Sequence, residues 1–161
     1  MSWILLITTL PTQHTAVRQR TWRALKAAGA ATLRDGVYLL PAQPAGEAAF
    51  GAIAADLQQS GGHAQMLRAQ PPEGTDFTPL FNRAAAWKTL QADVRAVAAA
   101  LAPGKGQLAP EAALRESRKL RRRYAALAAI DYLPQGEAAA TVEQALQALE
   151  QATQPEQPAV S

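Results

Sequence analysis

The stretch Ala31-Thr32-Leu33-Arg34-Asp35-Gly36-Val37-Tyr38-Leu39-Leu40 sets the fold. Asp-Gly between two short runs of strand-forming residues is the dipeptide best suited to a two-residue hairpin turn, because both central positions tolerate positive φ. Ala31–Arg34 and Val37–Leu40 are therefore read as antiparallel neighbours. Upstream, residues 3–10, Trp-Ile-Leu-Leu-Ile-Thr-Thr-Leu, are apolar at odd and even positions alike, the pattern of a central strand covered above and below. Between them Thr15 can cap a helix from about Ala16 to Ala28 that Gly29 closes, with Val17, Thr21, Ala24, Leu25 and Ala28 on one face and Arg20, Arg23 and Lys26 opposite. Downstream, a second helix over residues 46–60 turns Phe50, Ile53, Ala54 and Leu57 inward and ends at Gly61-Gly62. A fourth strand, His63–Ala69, follows.

The order strand, helix, hairpin, helix, strand is a βαββαβ split unit, which right-handed crossovers close as a ferredoxin-like sheet. In that topology the first and third strands are central, and these are the apolar ones; the more polar second and fourth fall at the edges.

Pro71-Pro72-Glu73-Gly74 breaks the composition, and the rest of the chain reads as helix. The expected organisation is an α+β domain over 1–70, an all-helical extension over 76–152 and a disordered tail over 153–161. Thr78-Pro79 would start a helix to about Ala102 with Leu80, Ala84, Trp87, Val94, Ala98 and Leu101 buried. Gly104-Lys105-Gly106 lacks the strand and the Ser/Thr of a phosphate loop and reads as a linker. Pro110 opens a helix to about Tyr132, and a last helix buries Val142, Ala145, Leu146 and Leu149.

Apolar residues are 48% of the chain and charged ones 18%, a composition that folds. With no cysteine, disulfides, thiolate nucleophiles and iron–sulfur clusters are excluded. The opening apolar run lacks a basic leader and is too short for a membrane span, so a cytoplasmic protein without membrane association is expected. His14 and His63 are distant in sequence, Thr8 and Thr9 lack a placed base, and no cofactor motif occurs; no catalytic residue, metal or cofactor is expected. Trp3, Trp22 and Trp87 read as packing anchors, with Trp22 beside Arg18 also able to line a pocket for something flat or anionic.

The net charge of +3 hides two basic segments. Residues 1–40 carry +4, and residues 115–123 hold six cations against Glu116. On a helical wheel Leu114, Leu120, Tyr124 and Leu127 gather on one side, Arg115, Arg118, Lys119, Arg122 and Arg123 on the other, and Arg121 at the border. A charge run is most often a solvated face. Five of these six cations are arginine, however, whose planar fork meets phosphate oxygens bidentately, and like charges at this spacing repel until an anion relieves them.

The run Ser-Trp-Ile-Leu-Leu-Ile-Thr-Thr-Leu-Pro-Thr, then Arg18-Gln-Arg20-Thr-Trp22-Arg23 through Gly29 to Arg34-Asp35-Gly36-Val-Tyr-Leu-Leu-Pro41, resembles the N-terminal domain of the ChrB chromate-resistance regulators. The likeness continues through Gly61-Gly62-His63, Leu80-Phe81-Asn82-Arg83, Arg121-Arg122-Arg123-Tyr124 and Ile130-Asp131-Tyr132. The core is more distantly similar to the ferredoxin-like domain of the PaaX repressors and to small CRISPR-associated nucleases, which place an aspartate at the end of the first strand where this chain has Thr8, Thr9 and Leu10.

The resemblance implies a dimeric, DNA-binding transcriptional regulator of chromate resistance. Arg115, Arg118, Lys119, Arg122 and Arg123, helped by Arg20, Arg23 and Lys26, would contact phosphates. Chromate, a tetrahedral dianion, would be held by Arg18, Arg23 or Arg34 near Trp22. Family members commonly carry a C-terminal domain that these 161 residues lack, so an oxyanion-sensing subunit, or one that docks a separate domain of that type, is the alternative.

Overall fold

The computed structural model describes residues 1–104 and 108–154. Gly106, Lys105 and most of the expected tail therefore lie outside the described residues. The chain divides into two compact units, residues 1–81 and 82–161.

The first unit is built from β1 (Trp3–Thr9), α1 (Thr15–Ala27), β2 (Ala31–Arg34), β3 (Val37–Pro41), α2 (Pro44–Gln59) and β4 (His63–Ala69). The strands form one antiparallel sheet in the order β2-β3-β1-β4, the ferredoxin-like arrangement, with β1 and β3 central as their apolar sequences require. Ile4 pairs with Leu40 and Leu6 with Tyr38, so Ile4, Leu6 and Leu40 point to one face, where they are buried. A Cβ on Gly46 would lie 3.4 Å from the Leu40 Cβ and 3.5 Å from Ile4 Cδ1, which places the start of α2 on that face. Val17 and Leu25 of α1 and Phe50, Ile53 and Leu57 of α2 complete the core.

Both helices end alike. Gly29 (φ +69°) and Gly61 (φ +85°) take the left-handed conformation, and the next amides donate back five residues, Ala30 to the Leu25 carbonyl at 3.1 Å and Gly62 to that of Leu57 at 2.9 Å. At the start of α1 the expectation needs correcting. Thr15 is the first helical residue, His14 stands at the cap position and no side chain caps it.

The other sheet face departs from a strand covered on both sides. At its Trp3 end Phe77 meets the indole edge-on at 5.6 Å and Phe81 stacks on it at 5.4 Å; further along, Ile7 and Leu67 are exposed. Two aromatic residues cannot cover a strand of this length. This packing also draws residues 71–81 into the first unit, so the division falls later than the Pro71–Gly74 break.

The second unit holds α3 (Ala84–Leu101), α4 (Pro110–Ile130) and α5 (Ala138–Thr153), each packed on the other two around Trp87, Leu90, Val94, Leu120, Val142, Leu146 and Leu149. The single helix expected from Thr78 is interrupted. Asp76 Oδ1 accepts from the Thr78 amide at 2.9 Å and its hydroxyl at 2.7 Å, a 3-10 turn covers Thr78–Phe81, and Asn82 Oδ1 then accepts from the Ala84 amide at 2.9 Å to begin α3. Those hydrogen bonds hold the Asp76 carboxyl below the usual carboxylate range, the Thr78 side chain contributing most. As a result Leu80, Ala84 and Ala98 are exposed and Leu90, absent from the expected stripe, is buried.

Candidate functional site

The basic residues singled out from sequence fall in both units. On α4 the buried side is Ala113, Ser117 and Leu120, and the arginine-rich side is solvent-facing as the wheel requires. The chain's own carboxylates take part of that charge. Lys119 Nζ lies 2.8 Å from Glu116, and Arg123 Nη2 lies 2.7 Å from Asp93 of α3. Arg121, at the border, is gripped hardest: Nε and Nη2 each donate to Glu150 at 2.8 Å and Nη1 donates to Glu143. The Glu150 hydrogen bond is the main cause of a guanidinium pKa raised far above its ordinary value, while Arg121 in turn lowers the Glu143 carboxyl.

Arg115, Arg118 and Arg122 are left exposed, with no ion pair among the described residues. At 100° and 1.5 Å per residue they occupy an arc of about 60° and about 10 Å of helix. Arg118 and Arg122 also border a cavity of about 420 Å³ between α4 and α5, whose opposite wall includes Glu150 and Thr153.

On α1, Arg20 Nε lies 2.9 Å from Asp56 and its Nη2 donates to the Ser60 hydroxyl at 2.8 Å, so this arginine ties α1 to α2. Arg23 is exposed and has no ion pair among the described residues. Lys26 sits 4.9 Å from the centre of the Trp22 ring. Of the residues expected to hold an oxyanion, Arg18 and Trp22 line one cavity of about 310 Å³ between α1 and the hairpin turn, whereas Arg23 and Arg34 are not in its wall. Asp35 and Tyr38 are, and sequence reading missed both because Asp35 was already accounted for by the turn.

The motif residues late in the chain form a structural lock. Trp87 Nε1 donates to Asp131 Oδ2 at 2.8 Å, Arg83 Nε donates to the Ile130 carbonyl at 3.3 Å, and Tyr124 packs on Trp87 at 5.4 Å. Burial, more than any neighbouring charge, raises the Tyr124 and Tyr132 phenols. Trp3 and Trp87 are buried anchors, as expected, and Trp22 is 61% exposed. Among the described residues no three His, Cys, Asp or Glu side chains are gathered as metal ligands, and no helix is long and apolar enough to cross a membrane.

The sequence pattern of the family described as Protein ChrB, N-terminal, matches residues 18–156. The chain belongs to the ChrB N-terminal family. Protein ChrB of Cupriavidus metallidurans is 39% identical over 85 residues, which are 51% of this chain and 26% of that protein, so the match spans about a quarter of the relative. Among solved structures, the uncharacterized protein Rv0674 from Mycobacterium tuberculosis is similar in fold, with a TM-score of 0.55 at 15% identity over 94% of this chain and 60% of that one. The matched residues 18–156 take in the hairpin turn, Arg121 with Glu143 and Glu150, Trp87 with Asp131, and the exposed arginines of α4.

Proposed function

We propose that this chain is a DNA-binding transcriptional regulator in chromate resistance, without enzymatic activity, acting in the cytoplasm as a homodimer. Membership of the ChrB N-terminal family supports the association with chromate resistance. The observation that carries DNA binding is the arc of Arg115, Arg118 and Arg122 on α4, exposed and free of intramolecular carboxylates among the described residues. Evolved solubility rarely needs three adjacent arginines; a row of phosphates does. Lys119 and Arg123 have partners to give up first and rank as secondary contacts, and Arg23 and Lys26 of α1 are auxiliary.

If two copies each present the three free arginines, about six phosphates are neutralised and log K falls with log[salt] at a slope near −5, roughly a thousandfold between 50 and 200 mM salt. Fluorescence anisotropy with the chain's own upstream DNA tests this, and a salt-independent signal rejects it. The alternative, an oxyanion sensor at Arg18 and Trp22, is disfavoured by Asp35 in the same cavity, whose carboxylate would repel a dianion.

A further inference from the structure

The cavity between α1 and the β2–β3 turn has a wall chemistry that phosphate gripping does not use. Arg18 and Asp35 both line it, yet neither forms an ion pair with the other or with any described residue. Opposite charges that face one space without touching leave both groups open to a third molecule. Thr21, also in the wall, is 3% exposed, and its hydroxyl has no hydrogen-bond partner among the described groups. A buried hydroxyl without a partner is uncommon and calls for a reason. Trp22 supplies a flat surface, mostly exposed; Lys26, which is not in the wall, sits over the ring.

A ligand that satisfies this wall offers an acceptor edge to Arg18, a donor edge to Asp35 and a flat ring to Trp22, with no net charge because the two wall charges cancel. A tetrahedral dianion meets only the first condition. Guanine meets all of them: O6 and N7 accept from a guanidinium, N1–H and the N2 amine donate together to a carboxylate, and the base stacks on an indole. Adenine has one donor group, its N6 amine, and cannot offer a carboxylate two parallel hydrogen bonds. The volume of about 310 Å³ suits a ligand of nucleoside size at the small end of the range for such sites. We propose that this cavity is a binding site for guanine as the free nucleoside, read by Arg18 and Asp35 and stacked on Trp22. The site belongs to the first unit, whereas the free arginines of α4 belong to the second, so either reading can fail alone.

Isothermal titration calorimetry of the full chain with guanosine, adenosine and chromate tests the proposal. Guanosine is expected to bind one to one and saturably, at least tenfold more tightly than adenosine. The informative variant is Asp35→Asn, because Asn-Gly serves the hairpin as well as Asp-Gly while removing the carboxylate. It should lose guanosine binding tenfold or more at an unchanged melting temperature, and Arg18→Gln on the exposed face of α1 should do the same. No saturable guanosine binding at millimolar concentration, equal affinity for adenosine, full affinity in both variants, or chromate binding that Arg18→Gln abolishes would each overturn it.

Discussion

Gly36 meets the tightest backbone demand in the sheet: its φ is +77°, its carbonyl accepts from the Thr8 amide at 2.8 Å, and a Cβ there would lie 2.8 Å from the Thr8 carbonyl oxygen. Gly36→Ala adds left-handed strain to a backbone clash and should cost about 2 kcal/mol or more in urea unfolding, against under about 0.5 kcal/mol for Asp35→Asn. Arg121 makes a different demand. Its three hydrogen bonds to Glu150 and Glu143 are charge-assisted and half-buried, so Arg121→Gln should destabilise the helical unit by about 1–2 kcal/mol. Glu143, held below its ordinary pKa chiefly by Arg121, binds protons more readily when unfolded. Its contribution is therefore complete above the ordinary glutamate value of about 4.3 and disappears as pH falls through the lower native value. Melting temperatures followed from pH 6 to pH 2.5 should drop in that window, and less steeply in Glu143→Gln. The border position of Arg121 was legible on a helical wheel; its partners, 22 and 29 residues away, were not.

At the scale of the element, α4 carries one apolar and one basic face, a division that 3.6-residue periodicity makes readable without any tertiary information. The helix nevertheless keeps only part of its charge free. Substituting Arg115, Arg118 and Arg122 together with Gln should abolish DNA retardation while raising stability by a few tenths of a kcal/mol per relieved pair, since they repel at i, i+3 and i+4. Lys119→Gln and Arg123→Gln should each weaken binding less, because Glu116 and Asp93 already hold those cations. Gel retardation beside thermal melts separates the two effects, and equal losses from paired and unpaired positions would contradict the ranking. The start of α3 is set by one distant contact and one local hydrogen bond. Thr78-Pro79 looks like a helix start, but Phe81 is taken by Trp3 and Asn82 supplies the hydrogen bond that begins the helix at Ala84.

Across the whole molecule, each unit has a core of its own: residues such as Ile4, Leu6, Phe50 and Leu57 in the first, and the Trp87–Leu149 cluster in the second. Leu146→Ala should cost about 2–5 kcal/mol and raise hydrogen exchange across α3, α4 and α5 before it does so in the sheet. The amino-acid order by itself determined the strands, the hairpin, the sheet order and the two basic helix faces, because turn chemistry and hydrophobic period act between residues a few positions apart. Tertiary structure alone decided which arginines remain free, that Trp87 is tied to Asp131 across 44 residues, and that Arg18 and Asp35 face one cavity unpaired. Pairing of that kind depends on where distant side chains arrive once the cores are packed, and local periodicity holds no record of it.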